Sequence, residues 1–158
     1  GTIKFDPATN RMVMLFEQQH VFREIWTDGR QNPAKVDAAG FPDSRFYGYS
    51  AGHWDGDNVF VVDTMGLDAR SWLDEAGLPH TSAVKLQERW TRLDQYNLEA
   101  VVTVEDPQYF TKPFQLMKTS YYWKKDQNME EEMCLASEAL RYREKLSNPS
   151  GWGAGAKP

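Results

Sequence analysis

Apolar and polar residues alternate with a period of two along most of this chain, the spacing of half-buried β-strands. Residues 12–17 and 20–27 are two apolar or mixed runs, and the second ends at Asp28-Gly29, a dipeptide suited to a tight turn. A polar loop with Pro33, Gly40 and Pro42 follows. Two aromatic-rich runs, 45–54 and 59–64, then flank Asp55-Gly56-Asp57-Asn58, the strongest hairpin signal in the sequence. Strand character returns over 83–93, 98–105 and 114–124, with a further short strand expected over 130–135. Asp106-Pro107 ends the run before it, because proline donates nothing to a ladder. Residues 67–76, closed by Gly77 and Pro79, read as a short helix or an ordered loop. Only 136–146 has a helical composition, with Ala136, Leu140, Arg143 and Lys145 among good helix formers.

About eight short strands joined by tight turns predict a mainly β protein. The expected fold is an antiparallel meander closed into a lipocalin-like β-barrel with one C-terminal helix, since closure removes exposed edges. A sandwich is the second arrangement, and a cone-shaped α+β fold the third. A barrel of this size encloses either packed side chains or one small ligand. The expected domain covers 1–147. Residues 148–158, rich in Gly, Pro and small side chains, are expected to be a flexible tail from which Trp152 can dock.

Composition narrows the function classes. The 158 residues carry 18 basic and 23 acidic side chains, a net charge of −5, which argues against nucleic acid or an anionic membrane surface as a partner. The single cysteine, Cys134, excludes an internal disulfide and a Cys-based zinc cluster. No apolar run approaches the roughly 20 residues of a membrane-spanning helix, so membrane insertion is not expected. The chain begins at Gly1 rather than Met, which fits a processed or an engineered start; a secreted or periplasmic location is expected only where an upstream export signal has been removed, and the lone cysteine leaves the compartment open. Eight Phe, seven Tyr and six Trp point instead to a small, partly apolar molecule as ligand.

Polar residues on apolar faces are the candidate site. Over 84–91, alternation groups Val84, Leu86, Glu88 and Trp90 on one face, so Glu88 points inward. A buried carboxylate is costly unless paired. It is therefore either a structural group held by an arginine or tyrosine across the barrel, with Arg23 and Arg89 as candidates, or a general acid/base. Over 47–53, Tyr47, Tyr49, Ala51 and His53 share a face, which lines a polar pocket or forms an outer surface. His20 alternates with Phe22, Glu24 and Trp26, and Arg23 with Val21 and Ile25, so period alone does not choose the buried face.

The loop after residue 66 offers Trp72, Asp74 and His80 as a lid with an acid–base pair, Asp74 orienting the imidazole; a locally hydrogen-bonded loop is the plainer reading. In Glu105-Asp106-Pro107-Gln108-Tyr109-Phe110-Thr111-Lys112-Pro113, Asp106 suits turn initiation, while Tyr109 can line a site. The three histidines lie apart with no metal-ligand spacing, so no metal and no cofactor is expected. Gly48-Tyr49-Ser50-Ala51-Gly52 matches a nucleophile elbow only in letters, because Ser50 falls inside a strand.

Several strings carry a resemblance: Phe22-Arg23-Glu24-Ile25-Trp26-Thr27-Asp28-Gly29-Arg30, Gly48-Tyr49-Ser50-Ala51-Gly52-His53-Trp54-Asp55-Gly56-Asp57, Trp72-Leu73-Asp74 with Gly77-Leu78-Pro79-His80, Glu88-Arg89, and Glu105-Asp106-Pro107 with Tyr109, Thr111, Lys112 and Pro113. Over roughly 12–135 the chain resembles a family of uncharacterised bacterial proteins abundant in Acidobacteria and often exported. The resemblance implies export but no activity. Three functions stand open at this point. The first is binding of a small molecule in an interior pocket, with Tyr47, Tyr49, Trp72, Trp90, Tyr109, Arg23 and His20 as contacts. The second is cofactor-independent lyase, isomerase or hydrolase chemistry by Glu88, His53, His80 and Asp74. The third is an interaction module forming a homodimer through exposed aromatics.

Overall fold

A computed structural model of the protein describes residues 2–130 and Leu140. The helix expected over 136–146, the tail at 148–158 and the strand expected beyond Glu130 lie outside the described residues, Leu140 apart. The described chain forms one sheet of eight strands in sequence order: β1 (Ile3–Ala8), β2 (Arg11–Phe16), β3 (Val21–Trp26), β4 (Tyr49–Asp55), β5 (Val59–Met65), β6 (Lys85–Arg92), β7 (Asn97–Glu105) and β8 (Phe114–Tyr122). The expected hairpin is there, β4 and β5 turning through Asp55-Gly56-Asp57-Asn58 with Gly56 at φ 70°. β1 adds a strand that the sequence pattern did not announce. Its Pro7 is tolerated because the strand is an edge, with β2 as its single ladder partner among the described residues.

The meander has one exception to antiparallel order. β3 and β4 run parallel, Ile25 beside Ser50 and Trp26 beside Ala51. Parallel neighbours need a connection of a dozen residues or more to carry the chain back, and residues 27–48 supply it. That loop is tied to the sheet where Asn32 Nδ2 donates to the Asp63 carbonyl at 2.7 Å and where Val36 packs over Gly66.

The sheet curls into a half-barrel. On a flat sheet β1 and β6 would lie about 24 Å apart, at about 4.8 Å per strand, yet the rings of Phe5 and Trp90 meet edge to face with centroids at 5.3 Å. Tyr121 of β8 also packs on Trp90, with ring centroids at 5.5 Å. Among the described residues no ladder joins β1 to β8, so the sheet is open at that seam. Gly52 permits the tight curl at β4: a Cβ there would stand 2.5 Å from Phe60 Cζ and 2.8 Å from Ile25 Cγ2.

The concave face carries two apolar clusters. Met14, Ile25, Phe60, Val62, Trp90 and Ala100 form one, with Phe5 and Tyr121 packed against it. Leu67, Val84 and Val104 form the other, joined by Leu73, Leu86, Phe110 and Phe114. A polar group spans the ground between them, and the candidate site is built on it.

Candidate functional site

Strand register sets the polar group in place. Ser50 faces Thr64 across β4 and β5, and Glu88 lies between Val62 of β5 and Val102 of β7. With Ile25 wholly buried on β3, the two-residue period turns Arg23 to the same concave side. The guanidinium bridges four strands. Its Nη2 stands 2.6 Å from Glu88 Oε1 and donates to Thr64 Oγ1 at 2.6 Å and Ser50 Oγ at 2.9 Å, while Nε reaches the same Ser50 oxygen at 3.1 Å. The second carboxylate oxygen of Glu88 accepts from Trp90 Nε1 at 3.1 Å. Arg23 is therefore the counter-ion of Glu88. Arg89, on the opposite face, pairs with Asp55 at 2.7 Å. Burial, with the nearby negative charge of Glu88, pushes the Tyr121 phenol above its ordinary pKa.

Beside this group lies a cleft of about 450 Å³. The sheet contributes Arg23, Thr64 and Leu86; the loops contribute Phe46, Tyr47, Leu67, Ser71, Trp72 and Leu73. Gly48 at φ 61° ends the strand before Tyr47, which frees that ring to reach the cleft rather than continue β4. A Cβ on Gly48 would stand 2.6 Å from the Met65 carbonyl oxygen, so the turn requires glycine.

The loop over 66–84 has no helix; it is held by side chains. Asp68 accepts from Arg70 N and from the Arg70 guanidinium, each at 2.9 Å. Those bonds hold its carboxyl well below the usual range, at about 2. His80 is buried behind the loop, with Nδ1 2.9 Å from the Thr81 carbonyl and Nε2 3.0 Å from Ser71 Oγ. Asp106, also buried, anchors the loop's far end: it accepts from Thr81 N at 2.7 Å, Thr81 Oγ1 at 3.0 Å and Gln108 N at 3.2 Å.

The cleft brings together Arg23, Tyr47 and Trp72, with His80 one hydrogen bond behind its wall at Ser71 and Glu88 one ion pair behind Arg23. The other candidates stand elsewhere. His53 is exposed at the outer end of β4, because Ser50 and Gly52 take the inward positions. Tyr49 shares that outer face, its hydroxyl donating to the Asp43 carbonyl at 2.7 Å beneath the Arg45 guanidinium. Asp74 caps its own turn by accepting from Leu78 N at 2.9 Å, so Ser71 rather than Asp74 faces His80. Trp90 is core, Tyr109 is exposed beside Phe110, and His20 borders a separate hollow of about 340 Å³ with Phe16, Phe22 and Met129. Sequence reasoning did not single out Ser71, Thr64, Phe46 or Leu86. The signal for Ser71 was its place between Arg70 and Trp72 in a loop already suspected as a lid.

Among the described residues no group of three His, Cys, Asp or Glu side chains is placed to hold a metal ion. The cleft lining combines the Arg23 cation with the hydroxyl side chains of Tyr47, Thr64 and Ser71 and with aromatic and aliphatic walls. Comparison with protein-family models, with curated proteins and with solved structures found no match to the chain.

Proposed function

We propose that the half-barrel binds a small, partly apolar molecule in the cleft bounded by Arg23, Tyr47 and Trp72, in the manner of a lipocalin-like cup. The observation that carries this reading is the composition of one cleft: apolar walls from Phe46, Leu67, Trp72, Leu73 and Leu86 around the polar atoms of Arg23, Thr64 and Ser71. Its volume suits a small organic ligand. All hydrogen bonds of Arg23 among the described residues run through Nε and Nη2, so Nη1 is the donor offered to a ligand carbonyl or carboxylate. Trp72 is 69% exposed, a large apolar ring whose uncovered face suits a ligand.

A thermal-shift screen with short-chain aryl acids, amides and esters tests the proposal. A ligand at a hundred times its Kd adds about 2.7 kcal/mol, which raises Tm by roughly 5–10 °C in a domain of this size. Because Trp72 contributes little to the core, Trp72→Ala leaves the unliganded Tm nearly unchanged and weakens binding about tenfold, the worth of one aromatic contact. No shift from any compound, or an equal shift in Trp72→Ala, contradicts the reading.

A further inference from the structure

We propose that Ser71 is a nucleophile and His80 its general base, so that the cleft turns over small, partly apolar esters; the proposal rests on the cleft being a ligand site. The observation is the tautomer that the loop imposes on His80. Its Nδ1 lies 2.9 Å from the Thr81 carbonyl, which only accepts, so Nδ1 carries the proton. In the neutral ring Nε2 then holds a lone pair, and that lone pair faces Ser71 Oγ at 3.0 Å. Nucleophile, base and a third group orienting the base are the three parts of an activated serine. Here a backbone carbonyl takes the third place. His80 is 3% exposed and Asp106 clamps the neighbouring Thr81 by two bonds, so the imidazole is held in one orientation. Ser71 itself lines the cleft. Its hydroxyl also reaches the Asp68 carbonyl at 2.8 Å, and rotation about the Cβ–Oγ bond carries the single proton from that carbonyl to Nε2.

The chemistry balances without a cofactor. Ser71 Oγ bonds to the ester carbonyl carbon as its proton passes to His80 Nε2. The tetrahedral intermediate collapses, the ester C–O bond breaks, and Nε2–H protonates the departing alkoxide. Water then attacks the acyl-serine with His80 taking its proton; the carboxylic acid leaves and the proton returns to Ser71 Oγ. Arg23, which the sheet contributes to the same cleft, is the cation offered to the developing oxyanion. The orientation differs from that expected of Asp74, whose carboxylate is used within its own turn.

The test treats the full chain with an alkyl fluorophosphonate and maps the adduct by mass spectrometry, then follows hydrolysis of p-nitrophenyl butyrate. The proposal expects one adduct, on Ser71, and hydrolysis lost in Ser71→Ala and lowered at least 100-fold in His80→Gln, the scale of a general base. The adduct map on the unsubstituted protein keeps the test decisive if either variant fails to fold. Binding of the unreactive amide, N-(4-nitrophenyl)butyramide, is measured in parallel by isothermal titration calorimetry. Amide binding without an adduct on Ser71 overturns the nucleophile and leaves the ligand site standing. Neither binding nor adduct overturns both, and an adduct confined to another residue overturns the nucleophile.

Discussion

Replacing Arg23 by alanine lowers the stability of the protein by about 3–5 kcal/mol, the cost of leaving a buried carboxylate without its cation. Glu88 is 5% exposed, and its remaining partner is the indole N–H of Trp90. Ser50 and Thr64 lose their donor in the same substitution, although each keeps the other's hydroxyl at 2.9 Å. The ion pair itself is not the source of that energy, because desolvating two charges offsets most of their attraction. The double variant Arg23→Met with Glu88→Leu therefore recovers most of the loss, since both charges leave together and the two apolar clusters become continuous. Urea unfolding of the two single variants and the double variant measures the effect. A cost below about 1 kcal/mol for Arg23→Ala would place the pair in the class of solvated surface ion pairs and remove the physical basis for a polar floor to the cleft.

Asp106→Ala costs about 3–5 kcal/mol as well, by a different route. Its carboxylate satisfies two backbone N–H groups and the Thr81 hydroxyl from within the protein, at 1% exposure. Hydrogen bonds to a charged acceptor are worth about 1.5–3 kcal/mol each, and three donors lose theirs together. Asp106→Asn keeps one acceptor oxygen and costs about half as much. The two variants differ in place as well as size: amide hydrogen exchange rises over 67–84 in Asp106→Ala, because Thr81 no longer ties that loop to the turn between β7 and β8. Unchanged exchange in the loop would show that the His80 side of the cleft is held by something other than Asp106.

Much of this arrangement is legible in the chain, and the limits have physical causes. Strict alternation in an apolar setting turned Glu88 inward, and Asp-Gly turn chemistry marked the hairpin of β4 and β5; both are local properties of the strand. The counter-ion was not local. Arg23 and Arg89 are equivalent in sequence, and only the curl of the sheet brings the Arg23 guanidinium of β3 within 2.6 Å of the Glu88 carboxylate of β6 while Arg89 faces out to Asp55. The face of β4 followed the same pattern. Period two grouped Tyr49 with His53 correctly, but the choice of inner face fell to Ser50 and Gly52 because Arg23 needs a hydroxyl there and Phe60 needs space. Sequence nearness favoured Asp74 as the partner of His80; the Leu78 amide claimed that carboxylate, and a serine stands opposite the ring instead. β1 went unannounced because a six-residue strand containing Pro7 reads as a breaker, and only its position at the sheet edge makes the proline acceptable. Closure of the barrel is a global property that no single run of residues encodes, and the eight described strands curl into a half-barrel without a ladder between β1 and β8.

The most direct test of the account is amide chemical-shift mapping of the ¹⁵N-labelled full chain against N-(4-nitrophenyl)butyramide. Ligand binding in the cleft perturbs the amides of Arg23, Phe46, Tyr47, Thr64, Ser71, Trp72 and Leu86 and leaves those around His53 and Tyr109 unmoved. Perturbations gathered instead around Phe16, His20 and Met129, or none at any concentration up to the solubility of the compound, would contradict it.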